Sequence, residues 1–176
     1  MQDFDLPTTQ VYSPEIRFVD IDAAGIVNNA TYFNYFEQSR IAFFEPLLGK
    51  KWDWNAAGMV VARHEIDYRT PILFNDDVRI VTWIEHIGTK SMTAAYEVYK
   101  QWQGTWVLAA QAKTVLVSYN HKEGSPAPWS EEVVEAAKCF GFGQGRGEEA
   151  VAPSTSLRRS LRETASFPHV PSQCVS

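Results

Sequence analysis

Residues 17–37 read Arg17-Phe18-Val19-Asp20-Ile21-Asp22-Ala23-Ala24-Gly25-Ile26-Val27-Asn28-Asn29-Ala30-Thr31-Tyr32-Phe33-Asn34-Tyr35-Phe36-Glu37. A strand-like segment stops at an Asp-x-Asp-x-x-Gly turn. An amide pair follows, Asn28 and Asn29, and then an aromatic-rich helix begins. Asp22 therefore stands just ahead of a helix N-terminus, whose first N–H groups lack intrahelical partners and favour negative charge. A carboxylate beside ready oxyanion donors is the arrangement that acyl transfer needs.

Outward from this stretch, the spacing predicts a helix over residues 30–48. Apolar side chains (Phe33, Phe36, Ile41, Phe44, Leu47, Leu48, with Tyr32 and Tyr35) cover most of its circumference, the pattern of a helix buried nearly all round. Gly49 and the cations Lys50 and Lys51 suit its C-terminal end. Upstream, residues 10–19 read as a strand. Downstream, residues 59–69 read as a strand that ends where Pro71 forces Thr70 to be extended. Asn75-Asp76 is a turn signal. Strands follow over residues 78–87, 91–102 and 105–119, with Gln103-Gly104 as a hairpin turn between the last two. The first of these three alternates, with Ile80, Thr82, Ile84 and His86 on one face. The final strand is apolar on both faces, as a central or interface strand would be. Ser130 suits the N-cap of a short helix over residues 131–139. One long helix with a four- or five-stranded antiparallel sheet is an α+β plan, in which a curved sheet wrapped around the central helix buries it. The sheet's other face then also needs cover, which predicts a homo-oligomer.

The chain has 176 residues, 45% of them hydrophobic, with six Trp, seven Tyr and ten Phe, enough for one sizeable core. Residues 1–143 read as one domain. From residue 144 Gly, Ser, Arg, Glu and Pro dominate, so 144–176 read as a polar, disordered C-terminal tail. The net charge of -5 argues against a nonspecific nucleic-acid binder. No apolar run is long enough to predict membrane insertion. The two cysteines, Cys139 and Cys174, and an acidic N-terminus without a signal pattern predict a cytoplasmic protein. No CxxC, HExxH or clustered Cys/His motif predicts a metal.

Three stretches, "RFVDIDAAGIVNNATYFNYFEQSR", "IDYRTPILFNDD" and "HIGTKSMTAAYEVY", together resemble the hotdog-fold acyl-CoA thioesterases of the 4-hydroxybenzoyl-CoA thioesterase-like family. The resemblance covers about residues 11–140. It implies a hotdog fold and hydrolysis of an acyl-CoA, fatty or aromatic, to a carboxylic acid and coenzyme A. It implies that Asp22 is the functional carboxylate, as nucleophile or general base, and that the helix start at Asn29 is the oxyanion site. It also places the 89–91 hairpin near bound coenzyme A, so Thr89, Lys90 and Ser91 are candidates for the pantetheine or phosphate side. Coenzyme A is then part of the substrate, and no cofactor is expected. Ile26 stands where many relatives carry His, and Asn29 where some bacterial members do.

Each candidate has a plainer reading. Asp22 can serve as an Asx-turn residue capping the helix. Asn28 and Asn29 can be N-caps, and that reading is preferred for Asn28. Asp20 fits a structural turn or a bond to Arg17. Gly25 can let the loop approach the acyl group or simply supply positive φ. Tyr32 can shape an acyl pocket or pack in the core. Glu37 can assist hydrolysis across a subunit interface or pair with Arg40 at i+3. His64 can line the site, yet a lone strand histidine is ordinarily a hydrogen-bonded structural group, and no role is assigned to it. Thr89, Lys90 and Ser91 can form an exposed turn. The leading expectation is an acyl-CoA thioesterase, homodimeric or homotetrameric; the alternatives are an acyl carrier protein thioesterase, a non-hydrolytic acyl-CoA binder or a hydratase on the same fold.

Overall fold

The computed structural model describes residues 11–49 and 52–139. The boundary at 143/144 and the tail after it lie outside the described residues. Six antiparallel strands form one sheet: β1 (Val11–Tyr12), β2 (Gly58–Tyr68), β3 (Val78–Ile87), β4 (Ser91–Trp102), β5 (Thr105–Asn120) and β6 (Ser125–Pro126). The order across it is β1-β3-β4-β5-β2, with the short β6 pairing the end of β5. Helix α1 (Thr31–Leu48) packs on one face, and α2 (Glu131–Cys139) follows the last strand. β5 lies between β4 and β2, the central position expected for it.

Local signals explain the boundaries. Gln103 and Gly104 both take positive φ, the twist a two-residue hairpin turn needs. The Gly49 N–H closes α1 on the Glu45 carbonyl at 2.9 Å. Ser130 Oγ accepts the Val133 N–H at 3.4 Å, capping α2. The expected strand over residues 10–19 is corrected. Only Val11 and Tyr12 pair with β3, and Phe18–Asp20 forms a single 3-10 turn. Pro14 has no N–H to give a ladder, and Asp20 bonds back to Arg17, so the segment turns.

The core forms where small residues on the sheet let the helix approach. Ala94, Ala110 and Ala112 on β4 and β5 sit among Met92, Tyr96, Val98 and Leu116, all buried with Phe36 and Phe44 of α1. The Phe36 and Tyr96 rings stack at 4.6 Å, and truncating either would cost ~3–5 kcal/mol. Bulges between Val61 and Arg63, Ile84 and His86, and Val98 and Tyr99 bend the strands that hold the helix. The bulge after Ile84 also breaks the expected alternation, so His86 is exposed while Ile80, Thr82 and Ile84 are buried.

One expectation about burial is corrected. Helix α1 is not buried all round in the single chain: Phe33 and Ile41 are 38% and 47% exposed, in line with the exposed Glu37. The far face of the sheet is mixed, with Val81, Ala95 and Val115 among charged groups. It carries paired polar groups: Arg63 with Glu65, Lys113 with Glu85 at 2.7 Å, Tyr99 with Glu97 at 2.7 Å, and Arg79 over the Trp106 ring at 4.4 Å. Open apolar surface lies on the outer side of α1 and on the edge strand β2, where Val61 and Tyr68 are 43% and 46% exposed.

Candidate active site

The loop before α1 is a short hairpin held at its base. Ile21 bridges Val27, the Asp22 N–H donates to the Ile26 carbonyl at 2.8 Å, and the Asn28 N–H donates to the Asp20 carbonyl at 2.8 Å. The Val27 N–H reaches the Ile72 carbonyl at 2.8 Å and Ile26 bridges Leu73, tying the loop to the segment after β2. Asp20 is the anchor. It is 2% exposed, accepts from Arg17 at 2.8 Å and 3.2 Å through the guanidinium and at 2.9 Å through the backbone, and accepts the Tyr35 hydroxyl at 3.0 Å. The Arg17 side chain above all holds the Asp20 carboxyl below its usual range, with further bonds from the Arg17 backbone and Tyr35 working the same way against burial. Burial, and then the Asp20 carboxylate, push the Tyr35 hydroxyl up. The expected Asp20–Arg17 bond is present; the Tyr35 hydroxyl, which fastens the loop to α1, is a contact the sequence reading missed.

On this frame sits Asp22, half-buried near the tip. Its Oδ1 accepts the Ala24 N–H at 2.8 Å, an Asx-turn, and it does not cap α1. Gly25 takes φ 78° and its N–H closes the turn on the Asp22 carbonyl at 3.0 Å, with open space where a Cβ would stand. At the helix start, Asn28 Oδ1 and Asn29 Oδ1 both lie within bonding distance of the Ala30 N–H, at 2.9 Å and 3.0 Å. The Ala30 amide is therefore occupied, whereas no described residue accepts from the Asn29 N–H. The Tyr68 hydroxyl of β2 donates to the Asn29 carbonyl at 2.9 Å, another contact absent from the sequence reading. Tyr32 is 3% exposed, with its ring edge-on to Tyr68 at 5.1 Å, and burial raises its pKa.

The structure does not bring every candidate together. Glu37 is exposed on the outer face of α1, and Arg40 turns inward to the Tyr96 hydroxyl rather than to Glu37. Thr89 and Lys90 are exposed, and Ser91 is half-buried, at the β3–β4 turn, which the Gly88 N–H closes on the Ser91 carbonyl at 2.7 Å. Lys90 Nζ donates to the Pro126 carbonyl at 3.1 Å. Along β5, the partner of Tyr68 is Ala110 and the partner of Ser91 is Val117. At 3.3 Å per residue this hairpin lies roughly 23 Å along the strand from the Asn29 end of the sheet. Asn75 does not adopt positive φ.

A long helix on a bent antiparallel sheet, with a carboxylate loop running into the helix, defines the class of hotdog-fold thioester hydrolases. The chain belongs to the thioesterase-like superfamily, whose family model matches residues 16–137. Among solved structures it is similar to a thioesterase from Thermus thermophilus complexed with coenzyme A and Zn. Those two chains are 31% identical with a TM-score of 0.64, over 75% of this chain and 93% of that one. A mutant 4-hydroxybenzoyl CoA thioesterase complexed with 4-hydroxybenzoyl CoA shares the fold at 18% identity and a TM-score of 0.65, over 72% of this chain and 96% of that one. The Bacillus subtilis (strain 168) protein YsmA is 29% identical over 121 residues, 68% of this chain and 79% of its own length. Among the described residues, no helix is long and apolar enough to cross a membrane.

Proposed function

We propose that this protein hydrolyses an acyl-CoA, with a fatty or aromatic acyl group, to the free acid and coenzyme A. The observation that carries this reading is the tethered loop: it holds the Asp22 carboxylate on the same hairpin that delivers to the start of α1 the Asn29 N–H, which has no acceptor among the described residues. In this reaction Asp22 attacks the thioester carbonyl or activates water, and the Asn29 N–H stabilises the developing oxyanion. Gly25 lets the loop backbone approach the acyl group, Tyr32 walls its pocket, and Glu37 assists hydrolysis across a subunit interface. Thr89, Lys90 and Ser91 meet the pantetheine or phosphate end of coenzyme A. No cofactor takes part, and the protein works in the cytoplasm, apart from nucleic acid and membranes. The exposed Phe33, Ile41, Val61 and Tyr68 support a homodimer or homotetramer closed through α1 and the β2 edge.

A second reading, a non-hydrolytic acyl-CoA binder, draws on one observation: Asp22 Oδ1 is committed to its own turn. Thiol release from a panel of acyl-CoAs separates the two, with Asp22→Ala and Asp22→Asn beside the wild type. Hydrolysis through Asp22 predicts that both variants lose on the order of 10²–10⁴-fold in kcat while still binding the thioester. Tight binding without thiol release from any acyl-CoA would move the assignment to the binder, and equal turnover of acyl carrier protein thioesters would remove the strict coenzyme A preference.

A further inference from the structure

Phe18 and Val19 are the two most exposed large apolar side chains among the described residues, at 82% and 78%, and the reaction above makes no use of them. They stand side by side on the 3-10 turn that leads into the Asp22 loop. The Phe18 ring lies edge-on to the Phe74 ring at 6.0 Å, and Leu73 and Phe74 are each 44% exposed. The four side chains thus form one apolar patch shared by two segments.

Both segments are held stiffly. Buried Asp20, bonded to Arg17 and to the Tyr35 hydroxyl, ties down the 3-10 turn. Asp76 Oδ2 accepts the Leu73 N–H at 2.8 Å, and Ile26 bridges Leu73, so the second segment is fixed from both sides. A surface already ordered in the free chain loses little freedom on contact. At ~200 Å² per aromatic side chain, Phe18 and Phe74 together expose about 250 Å². Val19 and Leu73 bring the total to roughly 450 Å², a size at which an open apolar surface on a soluble protein marks a contact site.

Beside the patch runs a groove of about 500 Å³, and Phe74 belongs to both. Pro14, Ile16 and Trp106 line it together with Glu15 and Asp77, and neither carboxylate forms an ion pair among the described residues. A projecting apolar pair and a recess of a size to receive it are therefore neighbours on one surface. Such a surface is self-complementary about a two-fold axis: the pair of one copy enters the groove of the other, and the reciprocal contact comes with it. The charges agree. Arg17, its side chain 60% exposed, stands next to the pair, and Glu15 and Asp77 stand in the groove, so two copies bring opposite charges together. A partner surface of one sign would be repelled by part of this rim. An interface of standard size takes ~800 Å² from each partner; the patch supplies about half of that as an apolar centre, and the groove supplies the polar rim.

We propose that Phe18, Val19, Leu73 and Phe74, with the groove beside them, form an interface between two copies of this chain, sharing no residue with the exposed apolar set on α1 and the β2 edge. A chain with two such two-fold contacts closes into a tetramer of D2 symmetry. Sedimentation equilibrium of the full chain across a dilution series tests the contact. Phe18→Ser combined with Val19→Ser is expected to halve the particle mass, with the dissociation constant of this contact raised about 30-fold or more, the scale of an aromatic hot spot. Both side chains are exposed, so the fold survives the change, as an unaltered far-ultraviolet circular dichroism spectrum would verify. A wild-type tetramer that becomes a dimer supports the proposal, and so does a wild-type dimer that becomes a monomer. A monomeric wild type, or a mass unchanged by the double substitution, would overturn it. Co-sedimentation with phosphatidylcholine vesicles that the double substitution abolishes while the mass stays constant would give the patch to a lipid surface and overturn it equally.

Discussion

Lys100 is an ammonium group 2% exposed in the middle of the fold, and its removal tests how the loop that carries Asp22 is supported. Its Nζ lies 2.6 Å from Asp76 Oδ2 and 2.8 Å from the Pro71 carbonyl. Asp76 Oδ2 also accepts the Leu73 N–H at 2.8 Å. The segment 71–76 so fixed is the one that receives the Val27 N–H and pairs with Ile26. Lys100→Met keeps most of the aliphatic stem and deletes the charge. Asp76, with its side chain 14% exposed, then keeps the Leu73 bond but has lost its cation. Removing one partner of a buried pair costs ~3–5 kcal/mol; the residual exposure of Asp76 brings the expectation to about 2–4 kcal/mol. With a urea slope of about 2 kcal/mol per molar, the midpoint should fall by roughly 1–2 M, read by tryptophan fluorescence. Adding Asp76→Asn removes the stranded charge and should recover at least half of the loss. A midpoint drop below about 0.3 M in the single variant, or no recovery in the double, would refute the reasoning.

Two further outcomes follow from the anchor of the loop. Tyr35→Phe removes a hydroxyl bonded to the Asp20 carboxylate and should cost ~1.5–3 kcal/mol in denaturant unfolding, the range for bonds to charged groups; a loss under ~0.5 kcal/mol would mean that Arg17 alone carries the anchor. The folded-state pKa of Asp20 is depressed, chiefly by the Arg17 side chain. Its contribution is therefore complete above the unfolded value of about 3.9 and disappears as pH falls through the lower folded value. The acid limb of a stability-against-pH curve should flatten in Asp20→Asn, and an acid limb identical to that of the wild type would contradict this linkage.

Much of the architecture was readable because local signals and tertiary needs agree. Alternating β-branched and aromatic residues, the Gln103-Gly104 turn, Ser130 before α2 and Gly49 after α1 each mark a boundary the structure reproduces. Residues 10–19 misled because apolar content resembles a strand, while the turn is set by the Asp20–Arg17–Tyr35 contacts, which need the helix in place. The apolar circumference of α1 is a true feature of the sequence, but a single chain covers only one side of it. The paired charges on the far sheet face depend on cross-strand register, such as Lys113 of β5 beside Glu85 of β3 with β4 between them. At the site, Asp22, Gly25 and Asn29 share one continuous motif and were readable together. The distance to Thr89, Lys90 and Ser91 follows from strand direction, since the β3–β4 turn lies at the opposite end of the sheet from Tyr68.

The order in which the sheet can be assembled follows from its pairing. β4 and β5 meet across a tight turn and β3 and β4 across the 88–90 loop, whereas β2 reaches β5 only by bringing Tyr68 to Ala110 and Gly58 to Tyr119. The entropy of closing a loop rises with its length and nonlocal contacts slow folding, so the three-strand meander should form early and β2 should join late. In pulse-labelled hydrogen exchange during refolding, amides of β4 and β5 should gain protection before those of β2; simultaneous protection would contradict this order. β2 carries the hydroxyl that holds the Asn29 carbonyl. A nascent chain would thus hold most of its folded mass before Tyr68 reaches the Asn29 carbonyl, and late intermediates would be compact with the start of α1 not yet tied to the sheet.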